Sequence, residues 1–120
     1  MNKVFISGLI SETPVFRMEA SEIPHLILSL CVRHKTGAGK MQKETYRVSA
    51  WHNAARWGAE HLRKGQIIGL QGYLSQRKVI AGNIMATETE IAVDEFLSGS
   101  VLPEREERGP VEPAAVEAAG

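Results

Sequence analysis

The sequence predicts an all-β domain: a five-stranded barrel with one helix between its third and fourth strands, followed by a tail without structure. Three observations lead there. Short stretches alternate apolar and polar residues with a period of two. Only one stretch, near the middle, carries helix spacing and end signals. Composition then changes after Ser100, where three of the five prolines, many alanines and no aromatic residue occur.

Lys3 to Ile10 reads as the first strand, with Gly8 as a bulge or bend. Thr13-Pro14 interrupts it, and Val15 to Met18 resumes pairing before a polar turn at Glu19 to Pro24. Leu26 to Arg33 is the second strand. Leu26, Leu28, Leu30 and Val32 fall on one face, and Ile27, Ser29, Cys31 and Arg33 on the other. His34 to Lys43 (HKTGAGKMQK) reads as a flexible basic loop. Glu44 to Trp51 is the third strand. The helix has Asn53 as N-cap, a body from Ala54 to Leu62, Arg63-Lys64 in its last turn and Gly65 as its stop. Its expected apolar stripe is Ala54, Trp57, His61 and Leu62. Gln66 to Val79 is the fourth strand, with Ile68, Leu70, Gly72 and Leu74 inward and Gln71, Tyr73, Ser75 and Arg77 outward. Ala81-Gly82-Asn83 signals a hairpin turn, and Ile84 to Phe96 is the fifth strand. Residues 1–100 form the expected domain and 101–120 a disordered acidic tail. A single helix between the third and fourth of five strands is the OB-fold order, whose sheet face and loops bind oligonucleotides or oligosaccharides.

Composition narrows the class. The chain has 120 residues, 43% hydrophobic and 23% charged, enough for one modest core. No apolar run is long enough to span a membrane. The N-terminus lacks a cleavage signature, and the single Cys31 cannot form an internal disulfide, so a cytoplasmic setting is expected. Cys31 reads as a buried, inert thiol. Formal net charge is zero but unevenly placed. Up to Ser100 there are 12 basic and 9 acidic residues, and beyond it two Arg face five Glu. A mildly basic domain of this kind suits a polyanion.

The third strand, ETYRVSAW, carries the chemistry. Tyr46, Val48 and Ala50 point one way, and Thr45, Arg47, Ser49 and Trp51 the other. Arg47 and Trp51 then share a face about 13 Å apart. A nucleic-acid single strand offers phosphates to the first and base faces to the second. The alternative is a half-buried strand whose Trp51 packs under a neighbouring loop.

Residues spread over 1–97 give this pattern a family likeness. Met1-Asn2-Lys3-Val4, Gly8-Leu9 and Pro14-Val15 followed by Arg17 resemble the start of bacterial single-stranded DNA-binding proteins. Arg47-Val48, the helix end Glu60-His61-Leu62-Arg63-Lys64-Gly65, and Gln71 to Lys78 (QGYLSQRK) are similar to the same family. The resemblance implies an OB-fold homo-oligomer, a tetramer with a dimer as the alternative, that wraps single strands without sequence choice. It implies phosphate contacts at Lys3, Arg17, Arg47, Arg63, Lys64, Arg77 and Lys78 and base stacking at Trp51. Arg33 and Lys35 extend the basic surface, and Tyr73 offers a second ring. The implied roles are protection of single-stranded DNA in replication, recombination and repair, at the nucleoid, with replication or repair proteins as further partners. The chain departs from the family's usual stacking tryptophans: His34 to Lys43 has no aromatic residue, Thr45 opens the third strand, and Val79 follows Arg77-Lys78. It also ends Glu117-Ala118-Ala119-Gly120, without the family's acidic tip. Ile23-Pro24-His25 looks instead like primosomal replication proteins of the dimeric OB type, which bind single-stranded DNA and partner proteins in replication restart.

Other classes fit less well. Gly37-Ala38-Gly39-Lys40 lacks the full phosphate-loop pattern and no helix follows it. The histidines at 25, 34, 52 and 61 have no metal-pair spacing. Glu88 and Glu90 share a face but read as a solvated edge rather than an acid/base pair. No catalytic residue, metal or cofactor is expected. An OB module that binds protein is a further class, against which the aromatic-plus-cation face argues.

Overall fold

The computed structural model describes residues 1–102, with side chains through Leu97. The strands are β1 (Val4–Ile10), β2 (Val15–Glu19), β3 (Ile23–Lys35), β4 (Met41–Trp51), β5 (Ile67–Ala81) and β6 (Ile84–Leu102), and the helix α1 (His52–His61) joins β4 to β5. Their order is β1-β5-β6-β4-β3-β2, and β1 also pairs with β3 through Leu9↔Cys31 and Ile10↔Leu30. That last pairing closes β1, β5, β6, β4 and β3 into the expected barrel. β2 is an added short strand on the free edge of β3.

Alternation builds the core as expected. Leu26, Leu28, Leu30, Val48, Ala50, Ile68 and Leu70 are 0–1% exposed and fill the barrel. Each large aliphatic chain so buried contributes about 1.5–3 kcal/mol. α1 plugs one end through Ala55, Gly58 and the following Leu62, which are buried, while Trp57 packs half-buried against Phe96 at 5.7 Å. The buried stripe is therefore not the expected Ala54–Trp57–His61–Leu62 set; His61 is exposed and bonds back to the Trp57 carbonyl.

Several local expectations are corrected, each by tertiary pairing. The polar turn at 19–24 shrinks to one 3-10 turn over Ala20–Glu22, with Ser21 at φ 61° and Glu22 at φ 58°. Because β2 pairs alongside, β3 begins at Ile23 and carries His25 within the sheet. The expected loop 34–43 is mostly strand: Arg33↔Lys43, His34↔Gln42 and Lys35↔Met41 extend the hairpin as an arm. Only 36–40 turns, with Thr36 Oγ1 accepting the N–H groups of Ala38 and Lys40 at 3.3 Å each. The fourth strand extends past Val79 to Ala81, which pairs Ile84 across the two-residue turn Gly82-Asn83. Gly82 has φ 63°, which glycine adopts without strain.

Asn53 is not the N-cap. Trp51 holds that position with no side-chain cap bond, and Arg63-Lys64 lie past the helix end, where Leu62 is the C-cap. Gly8 sits in regular pairing with Ile68, not in a bulge. Its role is close approach, since a Cβ there would lie 2.5 Å from the Cys31 carbonyl oxygen. Leu74 is 50% exposed rather than inward. β1 pairing with β5 ends at Val4↔Gly72, so β5 and β6 leave the barrel beyond it as a two-stranded ribbon. Cys31 is half-buried, not buried. β6 runs past Phe96 to Leu102, two residues into the expected tail, and the remainder of that tail, 103–120, lies outside the described residues.

Candidate nucleic-acid interface

The register puts a continuous set of predicted residues on the outer face of β3, β4, β6 and β5. Val48, which points into the core, pairs Ile91; Arg47, one residue earlier, therefore turns outward beside Glu90. Arg77 pairs Glu88 and Tyr73 pairs Ala92 on the neighbouring ribbon. Arg33 and Lys35 share the odd-numbered face of β3 with His25, opposite Lys43, Met41 and Trp51 of β4. Trp51 and Tyr73 are 39% and 41% exposed.

Arg47 and Arg77 are not free cations. Arg47 Nε donates to Glu90 Oε1 at 2.8 Å, and Arg77 Nη2 donates to Glu88 Oε1 at 3.0 Å. Arg77 Nε is buried without a hydrogen-bond partner; Glu90 Oε1 lies 3.5 Å away. The Glu90 side chain is only 11% exposed, so it is a clamp between two arginines and not a solvated edge. Glu88, at 52% exposure, matches the solvated reading better.

Trp51 is backed by a second ring. His25 stacks on it with centroids 3.7 Å apart and planes 3° from parallel. His25 Nδ1 lies 2.8 Å from Glu19 Oε2, and its Nε2 lies 2.5 Å from Ser49 Oγ. The imidazole bond, ahead of the Arg17 charge, holds the Glu19 carboxyl below its ordinary range. Glu, His and Ser in this order have the connectivity of a nucleophile triad. Ser49 is 0% exposed, however, so no substrate carbonyl reaches its hydroxyl.

Arg17 joins this cluster from β2, opposite His25, with its Nε 3.1 Å from Glu19 Oε2. The remaining predicted residues lie elsewhere. Lys3 sits ahead of β1, 3.9 Å from Asp94. Arg63 and Lys64 line a cavity with Thr13, Pro14, Phe16, Leu26, Ala59 and Leu62. Phe16 and Leu26 belong to the core face of their strands, so this cavity opens opposite Trp51. Lys78 follows Arg77 and points to the other face of the ribbon. Of the expected phosphate contacts Arg47, Arg77 and Lys78, the two arginines therefore share one face and Lys78 lies on the other.

A profile of the single-strand binding protein family matches residues 1–98. The chain belongs to the single-strand binding protein family. Among solved structures, the fold is similar to the crystal structure of wild-type single-stranded DNA binding protein from Thermus aquaticus, with a TM-score of 0.73 and 22% identity. That match covers 88% of this chain and 52% of the other, so this chain spans about half of that protein's length. No curated protein matches significantly.

Trp51 on β4 and Tyr73 on β5 are exposed rings of this face, and Phe5 lies outward on the adjoining β1. Sequence reasoning placed Ser49 on the Arg47–Trp51 face but did not single out His25, Glu19 or Glu90 as parts of this surface. His25 and Ser49 are 24 residues apart in sequence and Arg47 and Glu90 are 43 apart, so no local spacing encodes those two contacts, while Glu19 meets His25 six residues on, across the β2–β3 turn. Lys43 could have been found: once 34–43 is drawn as a hairpin, it falls opposite Arg33.

Proposed function

We propose that this protein binds single-stranded DNA without sequence preference and protects it during replication, recombination and repair. One observation carries the reading: an exposed tryptophan and the cationic β3–β4 arm share one outer sheet face in a domain of this family. A single strand laid along β4 would stack a base on Trp51 and pass Arg47 toward Lys43, Arg33 and Lys35. Trp51 to Lys43 spans about 27 Å of strand, room for a few nucleotides of the roughly 4–16 an OB fold covers. Arg47 and Arg77 engage phosphate only by giving up Glu90 for it, so Lys35 and Lys43 of the arm supply the readier cations. Arg63, Lys64, Lys3 and Lys78 extend the path only if the strand wraps beyond this face.

Wrapping fits a homo-oligomer, a tetramer with a dimer as the alternative. Phe5 at 69% exposure and Ile80, Ile84 and Met85 at 70%, 69% and 62% are apolar surface that such an assembly would cover. Sedimentation equilibrium distinguishes these states from a monomer. A cytoplasmic, nucleoid-associated setting and partners among replication and repair proteins complete the reading. No helix among the described residues is long and apolar enough to cross a membrane.

The deciding experiment is a tryptophan-fluorescence titration with poly-dT and with a duplex of equal length, at several salt concentrations. Quenching by the single strand, with log affinity falling by about 0.7 per phosphate contact against log salt, is expected. Equal response to both ligands, or none at low salt, rejects the reading.

A further inference from the structure

The aromatic on which the proposed function depends stacks on the middle member of a three-residue chain, Glu19–His25–Ser49. His25 is 5% exposed and lies flat against Trp51 at 3.7 Å. Both of its ring nitrogens are engaged, one by Glu19 and the other by Ser49. A carboxylate accepts only, so Nδ1 carries a proton and donates to Glu19, while Nε2 bonds to the Ser49 hydroxyl. A ring tied at both nitrogens cannot turn about its own bond to Cβ without breaking one of them. Glu19 is fixed in turn by Arg17 Nε at 3.1 Å.

Trp51 thus has one face covered by a rigid plate and is still 39% exposed, so its accessible surface lies away from the imidazole. The backbone adds a second constraint. His52, the next residue, has φ 57°, a left-handed conformation that a histidine adopts only at some cost. It turns the chain from β4 into α1 directly after the indole and leaves Trp51 at the junction.

We infer that His25 is a positioning residue for base stacking: the Glu19–His25–Ser49 chain locks the imidazole as a backing plate that presents the free face of Trp51 to one unpaired base. This rests on the single-strand reading above. Bound, the order is imidazole, indole, base. Without the plate, Trp51 samples other rotamers and must be ordered each time DNA binds, which weakens the complex. One pre-organised ring also offsets part of what the absent family tryptophans would supply.

The test is a double-mutant cycle on the full chain, read by the anisotropy of a labelled dT oligonucleotide. His25→Ala is expected to weaken binding about five- to tenfold when Trp51 is present, and less than about twofold when it is Trp51→Ala. A merely structural histidine would give the same loss in both backgrounds. The chain has two tryptophans, so in Trp57→Phe protein the remaining emission is that of Trp51. Its acrylamide quenching should rise on adding His25→Ala. Ser49→Ala removes one anchor of the ring in a nearly isosteric way. It should show the same coupling at smaller size, and it carries the cycle if His25→Ala does not fold. Equal losses in both backgrounds, or unchanged quenching, overturn the positioning role while leaving DNA binding intact. Failure of the unaltered protein to bind dT overturns the single-strand reading, and the platform falls with it.

Discussion

Glu90 decides what Arg47 and Arg77 can do. Its Oε1 takes 2.8 Å and 3.5 Å contacts from the two guanidinium groups, and its side chain is 11% exposed. A phosphate must compete with a carboxylate already in place. Glu90→Gln removes the competing charge and keeps an acceptor. It should tighten dT binding and steepen its salt dependence by about 0.7 for each arginine released, measured by anisotropy across a salt series. Weaker binding would mean that the clamp holds the arginines in their binding pose. At the arm, His34 Nε2 lies 3.2 Å from Glu44 Oε2, and that bond raises the His34 pKa above its ordinary 6.5. Glu44 is held below its ordinary 4.5, first by the Tyr46 hydroxyl and then by His34. The signs follow from linkage. The His34 contribution is full below 6.5 and is lost as pH rises through its raised value. The Glu44 contribution is present above 4.5 and is lost as pH falls through its lowered value. An NMR titration should place His34 above 6.5 in the native protein and closer to it in Glu44→Gln. Gly72 is set by packing alone, since a Cβ there would lie 2.0 Å from the Ala92 carbonyl oxygen. Gly72→Ala should cost about 1–3 kcal/mol, and so lower Tm by several degrees in a thermal melt.

Two elements leave the barrel, the β3–β4 arm and the β5–β6 ribbon. Both continue their pairing after the third neighbour has stopped, as β1 does at Gly72. The arm carries its cations at matched positions, with Arg33 facing Lys43 and Lys35 beyond. On the proposed reading, Lys35 and Lys43 meet the phosphate backbone. Lys43→Ala should therefore weaken binding to dT, dA and mixed strands by similar factors and lower the salt slope by about 0.7, with the fold intact by circular dichroism. A loss confined to one base composition would assign Lys43 to base readout instead. The helix closes the barrel end, and the chain turns into it just after Trp51.

At the scale of the molecule, the period-two alternation of Leu26–Leu30, Val48–Ala50 and Ile68–Leu70 by itself determined the barrel strands and their core faces. The placing of one helix between the third and fourth of them determined the architecture, and the spread of matched residues determined the family. Alternation is a local property, and burial follows from it wherever one face must leave water. Arg47, Trp51, Tyr73 and Arg77 were legible as outward residues for the same reason. Only the tertiary structure decided which outward residues meet. Register across strands far apart in sequence gave Arg47 and Arg77 to Glu90, set His25 beneath Trp51, and parted Arg63, Lys64 and Lys78 from that face. It also turned an expected loop into an arm and an expected inward Leu74 into an exposed one, because a strand's length is fixed by where its partner ends. Pairing partners and their extent are properties of the closed sheet, and no window of the chain contains both sides of them.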